Sequence, residues 1–290
     1  MLPFLLAFFL SPAAPADLST RFAEIAAKSP GKIGIAATLL GSAERAGVHN
    51  QQHFPMQSVY KFPIAMAVLQ LVDRGTLRLD QPVAVAKNEL VPPGLHSPIR
   101  DAHPDGATLS LREIVRFAVS ESDGTASDVL LRLAGGPARV TALVRGLRIQ
   151  DMVLATSEAE MARAVNVQYR NWSTPDAAVA LLAAFDAGRG LSSASHSLLE
   201  RFMIHTETGL ARIKGHLPAG TVVAHKTGTS GTDHGLTYAT NDIGIVTLPN
   251  GRRYAIAVFV SDSTADQATR ERIIADAARA AWDHWAVSSR

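Results

Sequence analysis

The sequence predicts an α/β protein of the α+β kind, in which the two ends of the chain build one antiparallel sheet and the middle folds as a helical insertion. Three observations carry this. Residues 32–40 (KIGIAATLL) read as a buried strand, residues 58–186 are mostly helical in period, and strand period returns after Thr221 before a closing helix. Hydrophobic residues make up 47% and charged residues 19% of the 290, a composition that builds a core and excludes disorder as the main state. Lys plus Arg number 28 against 26 Asp plus Glu, so no basic field favours nucleic acid. There is no cysteine, which excludes disulfides, iron–sulfur clusters and a thiol nucleophile. Neither an H-E-x-x-H motif nor a tight His/Asp cluster is present, so no metal is expected.

Element by element, residues 2–10 form an apolar run, followed by Ser11-Pro12-Ala13-Ala14-Pro15-Ala16. The run is too short for a span, which needs ~20 residues, and Ala14 and Ala16 occupy the small-residue positions of a cleavage site. Residues 1–16 therefore read as a signal peptide, cleaved after Ala16, and the mature chain is expected to be secreted or periplasmic without stable membrane insertion. Gln57-Ser58 opens a long apolar helix ending near Asp73-Arg74-Gly75. Ser110, with Glu113 three residues on, is a capping box for a helix to Val119. A helix over 125–134 stops at Gly135-Gly136-Pro137, and others run over 137–145 and 175–186. Residues 155–172 lack helical period and are long for a loop, which marks them as functional. Strands follow at 221–225, 243–248 and 253–260, the last two around Pro249-Asn250-Gly251. In the closing helix, Ile273, Ile274, Ala277, Ala278, Ala281, Trp282 and Trp285 form one apolar stripe. The expected division is a discontinuous sheet domain, 17–52 with 205–290, and an all-helical domain, 53–204, that carries a loop at about 153–172.

Three short motifs carry chemistry. Ser58-Val59-Tyr60-Lys61 places a hydroxyl and an amine on one helix face, one turn apart, at a helix N-terminus that favours developing negative charge. A serine needs such a base to become a nucleophile. Ser122-Asp123-Gly124 lies between two helical segments, where a hydroxyl can face a cleft; alone it reads equally as an N-cap turn. Lys226-Thr227-Gly228-Thr229-Ser230 follows a strand, and Gly228 is expected to leave room for a flat substrate beside the backbone.

The order Ser58, Ser122, Lys226 resembles that of the class A serine β-lactamases. The resemblance covers nearly the whole mature chain. Phe54-Pro55-Met56-Gln57-Ser58, Glu158-Ala159-Glu160-Met161 through Val167-Gln168-Tyr169-Arg170-Asn171-Trp172, Glu121 before Ser122, and His225-Lys226-Thr227-Gly228-Thr229-Ser230-Gly231 are similar to the PER-like extended-spectrum subgroup. It implies the serine β-lactamase/penicillin-binding-protein fold, a β-lactam substrate, no cofactor and a monomer. It implies Ser58 as the acylated nucleophile, Lys61 as its proton-relay partner and Ser122 as the donor to the leaving nitrogen. Glu158 corresponds to the carboxylate that activates the deacylating water, and Lys226 to the cation facing the substrate carboxylate. The backbone N–H groups of Ser58 and Thr229 correspond to the oxyanion hole. Thr227, Gly228, Thr229 and Ser230 line the substrate, Arg212 supports its carboxylate, and His96 stands at the cleft edge.

Three departures stand out. Gly124 replaces the family's usual Asn, which predicts a lost amide contact and a roomier cleft. Ala162 replaces an Asn that helps hold the hydrolytic water. Pro63 predicts a bend early in the nucleophile helix. A penicillin-binding peptidase or a non-hydrolytic β-lactam sensor would share the three motifs; Glu158 and its loop separate them from a hydrolase. Whether Lys61 or Glu158 takes the Ser58 proton stays open.

Overall fold

The computed structural model describes residues 17–287. The signal peptide assigned to residues 1–16 lies outside them. Within them a six-stranded antiparallel sheet has the spatial order Arg45–Val48, Lys32–Leu39, Arg253–Ser263, Leu236–Thr247, Val223–Thr229, with Thr232–Asp233 folded back on the start of Leu236–Thr247. Early and late segments of the chain thus meet in one sheet, with Lys32–Leu39 paired along its length to Arg253–Ser263. The strand Arg253–Ser263 is buried on both faces, which explains its unbroken apolar run: Tyr254, Ile256, Val258 and Val260 face one core, Ala255, Ala257 and Phe259 the other. The first core is closed by the helices Leu18–Ala26 and Gln267–Val287, and every residue of the expected terminal stripe is buried there.

The helix Lys61–Asp73 runs through the middle of the second core, buried at every position from Lys61 to Leu69. A helix apolar on all sides must be surrounded, and Leu111–Ser120, Gly124–Leu133, Pro137–Gly146, Pro175–Asp186 and Ser193–Ile204 pack around it. The middle segment is not all-helical. Pro82–Ala86 pairs with Gly106–Ser110, and Trp172–Ser173 pairs with both Phe54–Pro55 and Met152–Val153. Burial alternates strictly along Pro82–Ala86, a period-two signal only five residues long. The expected strands at 221–225 and 243–248 also shift. They are Val223–Thr229 and Leu236–Thr247, so the Lys226-Thr227-Gly228-Thr229 motif lies on the strand, not after it.

Candidate active site

Gln57–Tyr60 is a 3-10 turn that leads directly into the helix Lys61–Asp73, so Ser58 stands one turn before the α-helix. Pro63 falls in that helix's first turn, where a backbone N–H has no intrahelical partner; the expected bend is replaced by this change of helical type. Gln57 adopts φ +47°, a left-handed backbone that a non-glycine residue holds only when its surroundings impose it. They do. Met56 N–H donates to Asn171 O at 2.9 Å, and Asn241 Nδ2 donates to Pro55 O and Met56 O at 2.8 and 3.2 Å. Gly228 completes the clamp: a Cβ there would lie 2.4 Å from Met56 O. Its bare face therefore serves the contact between the edge strand and the nucleophile turn, not the expected approach of substrate.

Lys61 Nζ donates to Ser58 Oγ at 2.9 Å and to Ser122 O at 2.6 Å. It also stands 2.9 Å from Glu158 Oε1. That last contact is an ion pair off the hydrogen-bond direction, because Oε1 is buried with no hydrogen-bond donor among the described residues. Lys226 Nζ, fully buried, donates to Ser122 Oγ at 2.9 Å and to Thr227 O at 3.0 Å. Burial, and then repulsion from Lys61, hold its ammonium well below the usual lysine range. Ser122 sits at φ +61°, and Asp123 behind it caps the next helix through Ala126 N–H at 2.8 Å while accepting from Ile99 N–H at 2.7 Å. The N-cap reading of this turn and the cleft-facing hydroxyl thus hold together.

Glu158 opens a short helix, Glu158–Met161, within the 155–172 loop. The loop is closed by Asn171, whose Oδ1 accepts from Ala155 and Thr156 N–H at 2.8 and 3.0 Å. Asp128 holds the end that carries Glu158, accepting from Glu158 and Ala159 N–H at 2.7 and 2.9 Å. Burial pushes the Asp128 carboxyl up to about 6. The phenol of Tyr60, buried beside Ser127, is raised well above its usual range by burial and then by the charges of Glu158 and Asp128. Sequence reasoning missed Tyr60, Asp128 and Asn241. A charged residue inside the apolar helical run from Ala126 to Leu131 was the one visible signal, at Asp128.

These groups open on a cleft of about 600 Å³. Ser58, Lys61, His96, Ser122, Glu158, Thr227, Thr229 and Ser230 line it, and Lys226 reaches it from beneath through Ser122. His96 Nε2 donates to Glu121 O at 2.8 Å, fixing the rim. Arg212 does not line the cleft. It is buried under the edge strand, where Nη2 donates to Thr229 Oγ1 at 2.8 Å and Nη1 to Asn241 O at 2.9 Å. Gly124 does not line it either. Its N–H donates to His96 O, and a Cβ there would meet His96 O at 3.2 Å and Val91 at 3.4 Å. The missing side chain is filled by the 91–96 segment, so the expected extra room is absent. No group of acids and histidines among the described residues could hold a metal.

A family model described as the β-lactamase enzyme family matches residues 17–285. The chain is 38% identical over 271 residues to β-lactamase VEB-1 of Pseudomonas aeruginosa, covering 93% of this chain and 90% of that protein. It is 41% identical over 251 residues to the extended-spectrum β-lactamase PER-1 of the same organism, covering 86% and 81%. Among solved structures, a β-lactamase from Chitinophaga pinensis superposes with a TM-score of 0.90 at 46% identity, over 92% of this chain and 98% of that one. The TLA-1 extended-spectrum β-lactamase superposes with a TM-score of 0.90 at 43% identity, over 93% and 98%.

Proposed function

The chain belongs to the β-lactamase enzyme family, as a class A serine β-lactamase of the PER-like kind, and on that premise we propose how its residues divide the hydrolysis of β-lactams. Ser58 Oγ attacks the lactam carbonyl carbon. Its proton passes to Lys61, 2.9 Å away, as the ammonium turns to give a proton of its own to its ion-pair partner Glu158. The N–H groups of Ser58 and Thr229 hold the developing oxyanion, and each such donor lowers the barrier by about 3 kcal/mol. Ser122 gives its hydroxyl proton to the ring nitrogen as the C–N bond breaks, and recovers one from the two ammonium groups around it. Lys226, Thr227 and Thr229 receive the substrate carboxylate, with Arg212 behind Thr229. Lys61, having resupplied Ser122, takes back the proton held by Glu158; the freed carboxylate then takes a proton from water, which attacks the ester carbonyl, and Ser58 leaves with that proton restored.

One observation carries this reading: a single ammonium, Lys61 Nζ, stands 2.9 Å from both the serine oxygen and a buried carboxylate oxygen that has no hydrogen-bond donor among the described residues. An acid placed there has an acceptor for a water proton. The same geometry favours a hydrolase over a peptidase or sensor, which need only the acylation half. The expected substrates are penicillins and cephalosporins. Export by a cleaved leader and a monomeric state belong to the same proposal; no helix of the described residues is long and apolar enough to cross a membrane. Purified protein is expected to bleach a chromogenic cephalosporin through many turnovers. One equivalent of colour change followed by a stop would refute the hydrolytic reading.

A further inference from the structure

Behind the strand that carries Lys226 and Thr229, on the face turned from the cleft, lies a polar pair that the hydrolytic scheme does not use. His225 and Asp242 are both fully buried. They sit on neighbouring strands, His225 directly opposite Gly244. That glycine makes the space, since a Cβ there would lie 2.8 Å from His225 Cβ. His225 Nδ1 stands 3.0 Å from both Asp242 carboxylate oxygens, and Thr206 Oγ1 donates to His225 O at 2.8 Å.

Such a pair is costly. Desolvation of a buried acid and imidazole commonly exceeds their attraction, and two apolar residues would fill the space at lower cost. The cost is raised by His225 Nε2, which is buried with no hydrogen-bond partner among the described residues. Stability alone does not account for it. Asp242 has a second partner, however: Oδ2 accepts from Ile213 N–H at 3.2 Å. The residue before Ile213 is Arg212, whose guanidinium reaches forward to Asn241 O, Gly228 O and Thr229 Oγ1. The carboxylate therefore pins the backbone from which the arginine projects. The other charges around this layer have partners of their own. Glu271 stands 3.3 Å from Arg212, Arg270 donates to Thr240 Oγ1 and Ala265 O, and the half-buried Lys214 donates to Ile204 O at 3.1 Å while lying in the field of Asp242.

We propose that His225 and Asp242 are a positioning pair for the substrate-carboxylate subsite: His225 orients Asp242, Asp242 fixes Ile213, and the anchored Arg212 holds Thr229. The pair touches no substrate and acts through Arg212, and the proposal rests on the reading that Thr229 receives the substrate carboxylate.

The test compares benzylpenicillin with its methyl ester, which lacks the carboxylate charge. In His225→Leu, kcat/KM for the acid falls roughly tenfold more than for the ester, the scale of one hydrogen bond to a charged group. His225→Asn, which restores a donor near the position of Nδ1, keeps the acid-to-ester ratio within about twofold of the parent by the same scale. His225→Leu combined with Arg212→Ala loses no more of that ratio than Arg212→Ala alone. Acid and ester falling together, in step with the melting temperature, would mean a purely structural role and overturn the proposal, as would additive losses in the double variant. If His225→Leu does not fold, Asp242→Ala is read by the same ratio. Should Arg212→Ala itself leave the ratio unchanged, the assignment of the Thr229 subsite falls, and this proposal with it. A ratio lowered by Arg212→Ala but not by the His225 or Asp242 variants removes this proposal alone.

Discussion

The two walls of the cleft are built by different means. On one wall Ser58, Lys61, Ser122 and Lys226 project from a 3-10 turn, a helix, an inter-helix turn and an edge strand, whose backbones are fixed by two cores. The positions are set by close backbone approach, as at Gly228 against Met56 O, and by left-handed backbone at Gln57 and Ser122. On the other wall Glu158 rides on a four-residue helix in a loop, and side-chain hydrogen bonds hold it: Asp128 to its N-terminus, Asn171 across its base, Tyr169 to Asp262 at its outer edge. In the proposed scheme the first wall carries the nucleophile and the second the base for water, and Glu158 enters acylation only as an acceptor for a Lys61 proton. Deacylation should therefore be lost while acylation persists, and the second wall should fail to smaller insults.

The largest effect is expected at the first wall. Ser58→Ala removes the only group in the scheme that forms a covalent bond, so labelling by a fluorescent penicillin should vanish in gel and in intact mass, with the melting temperature nearly unchanged. Residual labelling at another residue would break the assignment of the nucleophile. Glu158→Ala should separate the halves. Acylation proceeds, while loss of a general base slows ester hydrolysis by about 10²–10⁴-fold. The intact mass should show one added equivalent of antibiotic that persists for minutes to hours. If this variant turned over at the parent rate, the second wall would have no role in hydrolysis.

The contrast also governs what the sequence disclosed. Motifs on regular elements are legible because helix and strand periods fix which residues share a face: the separation of Ser58 from Lys61 by three, or the stripe from Ile273 to Trp285, needs no tertiary information. Resemblance supplied the roles of Glu158 and Arg212, which spacing alone leaves as an ordinary loop acid and a surface cation. What stayed hidden depends on contacts between distant segments. Gly228 and Gly124 read as space for substrate until the structure fills that space with Met56 and with the 91–96 segment. Tyr60 and Asn241 carry no local signal, and Asp128 shows only a charge within an apolar run, because their partners are brought to them by folding.

Asp128 sharpens the comparison through pH. Its carboxyl titrates near 6 in the folded chain against 3.8 as the reference value. A raised carboxyl favours the folded state below the unfolded value, and that contribution is lost as pH rises from about 4 through about 6. Roughly 3 kcal/mol is at stake for a shift of this size. Relative to the parent, Asp128→Asn should therefore be more stable at pH 7.5 than at pH 4.5 by up to that amount, measured by urea unfolding at both. Deacylation should move the other way, because only the ionised carboxylate accepts fully from both Glu158 and Ala159 N–H. An equal stability difference at the two pH values would show that Asp128 does not titrate between them.

The smallest effect belongs to the outer edge of the loop. Tyr169 donates to Asp262 from an exposed position, and Asp262 is also paired with Lys32 at 3.0 Å. Exposed polar contacts of this kind contribute about 0.5–1 kcal/mol. Tyr169→Phe keeps the ring against Tyr238 and deletes only the hydroxyl. Global unfolding should shift by less than ~1 kcal/mol for that reason, while amide exchange in residues 165–170 accelerates about fivefold, since the latch closes a local opening and not the core. The lower end of the cleft, lined by Val165 and Gln168, would loosen with it. Exchange that stays at the parent rate would mean that Gln57, which donates to Gln168 from the first wall, holds this edge by itself; the two walls would then be less separate than their construction implies.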